Sequence, residues 1–227
     1  MKLSKLNIAL FIALLFHISG AMGILFSTHK DWFIQNTPIN LCLMSILLFY
    51  TQKQKNKWLY FFALIAFLTG MITEIIGVNT GYLFGNYSYG IVMGYKVLGV
   101  PLLIGVQWFV TVFCCGIAMH QLHHWIEKKY EMQGIILSTK MQTLSLIFDG
   151  ALLATLFDYI MEPVAIKLGF WQWQNNQIPL LNYICWFVIS MLLLLIFRWL
   201  PIHKHNHFAL HLLIIQTLFF LILRVYL

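Results

Sequence analysis

VLGVPLLIGVQWFVTVFCCGIAM, the stretch from Val97 to Met119, contains no charged side chain. A bilayer core takes about 20 apolar residues as helix, with a working range of about 17 to 25, so this stretch predicts a membrane span. The composition of the whole chain agrees. Of 227 residues, 61% are hydrophobic and only 9% are charged, where a soluble domain usually carries roughly a quarter charged residues. An ordinary water-soluble domain is excluded.

Outward from that stretch, the same ruler predicts seven spans: roughly Leu6 to Phe26, Pro38 to Tyr50, Trp58 to Val78, Val97 to Met119, Thr143 to Lys167, Pro179 to Leu200 and Phe208 to Tyr226. The expected fold is all-α, a polytopic membrane protein forming a single integral domain over 1–227. Residues 57–200 are its expected core, with peripheral helices in 1–56 and 201–227. The first span follows Lys2 and Lys5 and ends in Ser19-Gly20-Ala21, which imitates a signal peptide. Its apolar run exceeds a typical signal core, so a retained helix is expected.

The net charge of +7 is spread in short groups between apolar runs, with no continuous basic stripe. These groups read as topology signals and not as a nucleic-acid surface. Seven spans put the N-terminus, Lys53, Lys55, Lys57, Lys128, Lys129, Lys140, Arg198 and Lys204 on one side, and Lys30, Lys96, Lys167 and Arg224 on the other. The positive-inside rule then predicts a cell (plasma or inner) membrane protein with its N-terminus in the cytoplasm. All four cysteines (Cys42, Cys114, Cys115, Cys185) fall in apolar segments without CxxC spacing, as packing residues do.

Two stretches share one pattern. Pro101-Leu102-Leu103 is followed by Trp108-Phe109, and Pro179-Leu180-Leu181 by Trp186-Phe187 at the same spacing. Upstream of each stand a glycine, two spaced aromatics (Tyr87 and Tyr89; Trp171 and Trp173) and an acid near a helix end, Glu74 or Glu162. This predicts a parallel internal repeat in which spans three and four match five and six, with one site between the halves. Proline and tryptophan marking helix starts and packing is the plainer alternative.

Of seven acidic residues, Asp31, Glu127 and Glu131 are expected in loops, while Glu74, Asp149, Asp158 and Glu162 are expected within or at the ends of spans. An ionisable group inside a span is costly enough to mark a function or a buried partner. Asp158 and Glu162 are four apart, hence on one helical face; Asp149 points the opposite way and reads as structural. Pro163 is expected to kink or end the fifth span. Glu74 ends the third span on the same side, so three carboxyls can converge. Carboxyls in an apolar setting can divide into one acid and one base, which suits proton-addition chemistry; simple solvation at the interface is the alternative. The uncharged segment Asn79 to Tyr95, with four Gly and four Tyr, can fold back over a greasy ligand or lie in an aromatic belt.

A rival pattern is histidine. His120-Gln121-Leu122-His123-His124 has the HxxHH form of membrane di-iron hydroxylases, and His203, His205, His207 and His211 fall on the same side. Imidazoles at spacings of three or four can share a helical face and bind metal. Only one full HxxHH is present, and helix-end histidines beside carbonyls account for the rest, so no metal ligand is expected.

Read in order, Glu74-Ile75-Ile76-Gly77-Val78-Asn79-Thr80-Gly81, Phe84-Gly85-Asn86-Tyr87-Ser88-Tyr89, Leu98-Gly99-Val100-Pro101, Asp158-Tyr159-Ile160-Met161-Glu162-Pro163, Trp171-Gln172-Trp173, Ile178-Pro179, Asn182-Tyr183 and Trp186 resemble the membrane-integral carotenoid biosynthesis family. That family includes carotenoid 1,2-hydratases and bisanhydrobacterioruberin hydratases. The resemblance covers about Glu74 to Trp186 and departs at two positions. Glu162 stands where the family pattern often has Asp, and Thr73 where it has Gly.

The resemblance implies addition of water across the terminal C1–C2 double bond of an acyclic carotenoid end group, of lycopene or γ-carotene type, with no cofactor. Glu74, Asp158 and Glu162 are the implied catalytic residues. Asn79, Tyr87, Tyr89, Trp108, Trp171, Trp173, Asn182 and Trp186 are the implied substrate-binding residues. The implied partners are an apolar carotenoid and the lipid bilayer. A histidine-metal oxygenase of a lipid or carotenoid and a non-enzymatic lipid or small-molecule carrier remain as alternative readings, and the oligomeric state stays open.

Overall fold

The computed structural model describes residues 4–134 and 138–227; Lys2, one of the topology charges, lies outside the described residues. The chain runs α1 (Lys5–Phe26), α2 (Lys30–Gln35), α3 (Thr37–Thr51), α4 (Lys57–Thr80), β1 (Tyr87–Tyr89), β2 (Lys96–Val97), β3 (Val100–Pro101), α5 (Leu102–Glu131), α6 (Thr139–Lys167), β4 (Trp171–Trp173), α7 (Leu180–Trp199) and α8 (His207–Tyr226). Among the described residues seven helical segments are long and apolar enough to cross a membrane. This is an all-α polytopic membrane protein.

Local signals set several helix ends. Ser4, Asn56 and Asn206 each cap a helix by accepting from the backbone N–H three residues on, at 3.2, 3.0 and 3.3 Å, which satisfies a donor that the first turn leaves free. Pro101 and Pro179 stand just before α5 and α7. The second span, read from sequence as Pro38 to Tyr50, is longer: α2 and α3 together cover 22 residues, Lys30–Thr51, with Asn36 at the junction.

Two other expectations change. The fourth span does not begin at Val97, because Lys96–Val97 and Val100–Pro101 pair as an antiparallel hairpin; helix α5 starts at Leu102 and continues beyond Met119 to Glu131. Pro163 does not end α6, which runs one turn further to Lys167.

Helix α5 is the axis of the bundle. Its apolar stretch is 72% buried, against 28–44% for the other six spans. Its nearest packing partners are α4 and α6, with α6 also against α7 and α1 against α8. The α4–α5 approach is tight enough that a methyl group on Gly70 would stand 2.5 Å from the Trp108 indole. At one end, Asn206 donates to the Leu48 carbonyl and Gln52 to that of His203, at 3.1 and 2.6 Å, tying α3 to the α7–α8 loop. At the other end, β1 and β4 pair antiparallel, Tyr87 with Trp173 and Tyr89 with Trp171. Backbone bonds from Gly90 to Phe170 (2.8 Å) and from Gln174 to Asn86 (2.9 Å) extend that seam. The two aromatic loops thus form one joined cover over the ends of α4 and α6.

Candidate active site

Three carboxyls lie beneath this cover. Glu74 is in the penultimate turn of α4, and Asp158 and Glu162 are one turn apart near the end of α6. They are 4%, 1% and 2% exposed, so solvation at the interface does not describe them. No ion pair reaches any of the three among the described residues, where both ion pairs involve histidine on the far side of the bundle.

Neutral donors surround two of them instead. The Tyr87 hydroxyl bonds Glu74, Tyr89 donates to the same carboxyl oxygen at 2.7 Å, and the Trp108 indole donates to the other at 3.0 Å. Trp171 and Trp173 both donate to Glu162 Oε2, at 2.9 and 2.8 Å. Period-two alternation along a strand explains why these rings converge. Residues 87 and 89 share one face of β1, and 171 and 173 share one face of β4. Burial, and then the neighbouring Glu74, push both tyrosine hydroxyls well above the ordinary tyrosine range.

Asp158 is held differently. Asn182, one turn into α7, donates to its Oδ2 at 2.8 Å and lies 3.4 Å from Glu162 Oε1. Oδ1 of Asp158 is buried and has no hydrogen-bond partner among the described residues. A buried polar atom left so is unusual enough to need an explanation. Across the site Trp108 stacks on Trp186, with centroids 3.8 Å apart.

Glu74, Tyr87, Tyr89, Trp108, Asp158, Glu162, Trp171, Trp173, Asn182 and Trp186 line one small pocket of about 30 Å³. Ten of the eleven residues singled out from the sequence therefore meet. Asn79 does not line that pocket: it is exposed, and its amide bonds the carbonyls of Ile75 (2.8 Å) and Leu98 (3.0 Å), bracing the hairpin. The sequence reading missed Phe84, Ile104, Gln107 and Met161, which complete the lining. Only Gln107 carries a signal, as a polar residue within a span. A second cavity of about 510 Å³ adjoins, mostly apolar, walled by α1, α3 and α8 as well as α5 and α6. The helices expected to be peripheral are thus part of its wall.

The histidines gather at the opposite end. His120, His124 and His203 surround His205 with ring centroids 5.6, 6.2 and 5.3 Å away. Asp149, on the other face of α6, bonds Ser145 and lies 3.6 Å from His123. Among the described residues no three His, Cys, Asp or Glu side chains form a set able to hold a metal ion.

The family model described as carotenoid biosynthesis protein matches residues 37–227. The chain belongs to that family. The bisanhydrobacterioruberin hydratase of Haloarcula japonica is 27% identical to the chain over 128 residues, which is 55% of this chain and 39% of the relative. The match thus spans about two fifths of the curated relative's length. No solved structure matches the chain. The family match continues past Trp186, where the motifs quoted from the sequence end, to include all of α8.

Proposed function

We propose that the chain is a carotenoid hydratase, which adds water across the terminal C1–C2 double bond of an acyclic end group of lycopene or γ-carotene type. One observation carries this reading. Three buried carboxyls, unpaired with any cation among the described residues, share a pocket walled by indoles and phenols beside a large apolar cavity. Membership of the carotenoid biosynthesis family supports the substrate class, and the Haloarcula relative is named for hydration.

In this reading Asp158, with one oxygen free of hydrogen-bond partners among the described residues, is the acid and delivers its proton to C2. A tertiary cation forms at C1. Glu162 and the faces of Tyr87, Trp171 and Trp173 stabilise it, since carboxylate charge and aromatic quadrupoles both favour a cation. Glu74, across the pocket, orients the water and takes one of its protons as the oxygen bonds C1. The product is a tertiary alcohol. Return of that proton from Glu74 to Asp158 resets the site, so one water is consumed and no redox equivalent is needed. The pocket of about 30 Å³ suits the water, which requires about 10–15 Å³ of such space. We place the N-terminus in the cytoplasm of a cell-membrane protein on the lysine distribution, with the aromatic cover outside.

Mass spectrometry of carotenoids from cells making lycopene or γ-carotene tests this, with the protein, with Asp158→Asn, or with neither. A gain of one or two waters that vanishes in the variant supports hydration. A gain of oxygen alone moves the chemistry to the histidines, and an unchanged pigment profile rejects hydration of these substrates.

A further inference from the structure

The small pocket has room for water but not for an isoprenoid end group, so the polyene needs another space. The cavity of about 510 Å³ falls within the roughly 300–1,000 Å³ usual for ligand sites. It meets the small pocket at Ile104, Gln107, Met161 and Trp171, which line both. A ligand end at that window lies next to the acids.

The rim of the cavity is also defined. Leu15 and Phe16 on α1 and Ile39 on α3 line it, yet are 50, 39 and 59% exposed. Both helices belong to segments long and apolar enough to cross a membrane, so in a bilayer side chains exposed there would face lipid and the cavity would open sideways. Its floor has room as well. A methyl group on Gly20 would meet only Phe219, at 3.6 Å, an ordinary contact. Helix α1 precedes the family-matched residues, so part of this wall comes from outside the match.

We propose that this cavity is a lateral chamber, entered from the bilayer between α1 and α3, which holds an apolar isoprenoid chain with its reacting end at the Ile104–Met161 window. The identity of the chain as a carotenoid rests on the hydratase reading; the chamber and its lipid-facing mouth rest on the geometry. Gln107 stands in the window. Its amide lies 3.3 Å from Thr111 Oγ1 and 3.6 Å from the Met161 sulfur, both long contacts that a ligand can displace.

The test uses the full-length protein in lipid nanodiscs with lycopene as the probe, measuring pigment that co-elutes with protein and, separately, turnover. Gly20→Phe fills the chamber and is expected to lower bound lycopene at least tenfold. Gly20→Ala and Glu162→Gln are expected to bind as the wild type does. A second measurement does not depend on how Gly20→Phe folds. In a Cys42→Ser background, Ile39→Cys at the rim is labelled with a lipid-soluble maleimide, the other cysteines being buried. Bound lycopene is expected to slow that labelling severalfold.

Wild-type turnover with undiminished lycopene binding in Gly20→Phe, or labelling indifferent to lycopene, would overturn the chamber while leaving the hydratase reading intact. Absence of saturable lycopene binding by the wild type would overturn the chamber as well. Binding that is lost in Gly20→Phe, with no turnover by the wild type, supports the chamber and rejects hydration.

Discussion

Trp108 of α5 and Trp186 of α7 lie face to face, 7° from parallel, and the Trp108 indole also donates to Glu74. Each stands seven residues after the proline of a Pro-Leu-Leu stretch, and they meet in the pocket that the three carboxyls line. Gly70 closes the space behind Trp108. A methyl there must displace the indole, so Gly70→Ala is expected to destabilise the protein by about 1–3 kcal/mol, the usual cost of overpacking, and to slow turnover. Gly20→Ala should do neither. Thermal unfolding of the two variants in one detergent checks this; equal midpoints would mean that the stack yields freely.

Glu162→Gln keeps an oxygen for the indoles of Trp171 and Trp173 but removes the negative charge. Turnover is expected to fall about 10²- to 10⁴-fold, the range for loss of a positioned acid–base group. Glu162→Asp withdraws the carboxyl by one methylene and should retain part of the activity. Wild-type rates in Glu162→Gln would remove that carboxyl from the chemistry.

The Asp158–Asn182 pair permits a swap. Asp158→Asn alone should abolish turnover by a similar factor. Asp158→Asn combined with Asn182→Asp restores one acid and one amide in contact, so the melting temperature is expected to recover while turnover does not. Recovered turnover would show that either helix can present the proton.

Tyr87 and Tyr89 give a pH signature. Their hydroxyls are raised above the ordinary tyrosine value of about 10 by burial and by Glu74. In the unfolded chain they ionise near that value, so their contribution to stability is complete below about pH 10 and is lost as pH rises beyond it. Melting temperature followed from pH 8 to 11 should decline more steeply for the wild type than for a Tyr87→Phe/Tyr89→Phe double variant. Parallel curves would contradict the assignment.

The imidazole cluster supplies a control. His120→Ala and His205→Ala alter the end of the bundle away from the acids, and turnover is expected to change less than twofold. An oxygenated product that disappears in either variant would transfer the reaction to the histidines.

Much of this was legible in the sequence, for physical reasons that differ by element. Spans announce themselves because an apolar run has no other stable home, and the acids because charge within such a run is expensive. The hairpin before α5 was hidden, since Val97-Leu98-Gly99-Val100 is as apolar as the helix it precedes. Its turn depends on Leu98 and Gly99 at φ of 49° and 87°, and leucine gives no warning of a left-handed backbone. The acid pocket could be read because tyrosines, tryptophans and Asn182 are chemically marked. The chamber could not, because a wall of leucine, isoleucine and phenylalanine looks the same whether it faces a neighbour, lipid or empty space.

In the proposed hydration, the ring of phenols and indoles around Glu74 and Glu162, with no cation in ion-pair contact among the described residues, separates affinity from speed. A neutral hydrocarbon interacts weakly with the field of these carboxyls, so they contribute little to how tightly the polyene is held. The cation of the proposed reaction would feel that field in full, and an interaction present only at the top of the barrier raises kcat without lowering KM. Changes in the chamber should therefore move KM and changes among the carboxyls kcat, so either property could be altered in evolution with little effect on the other.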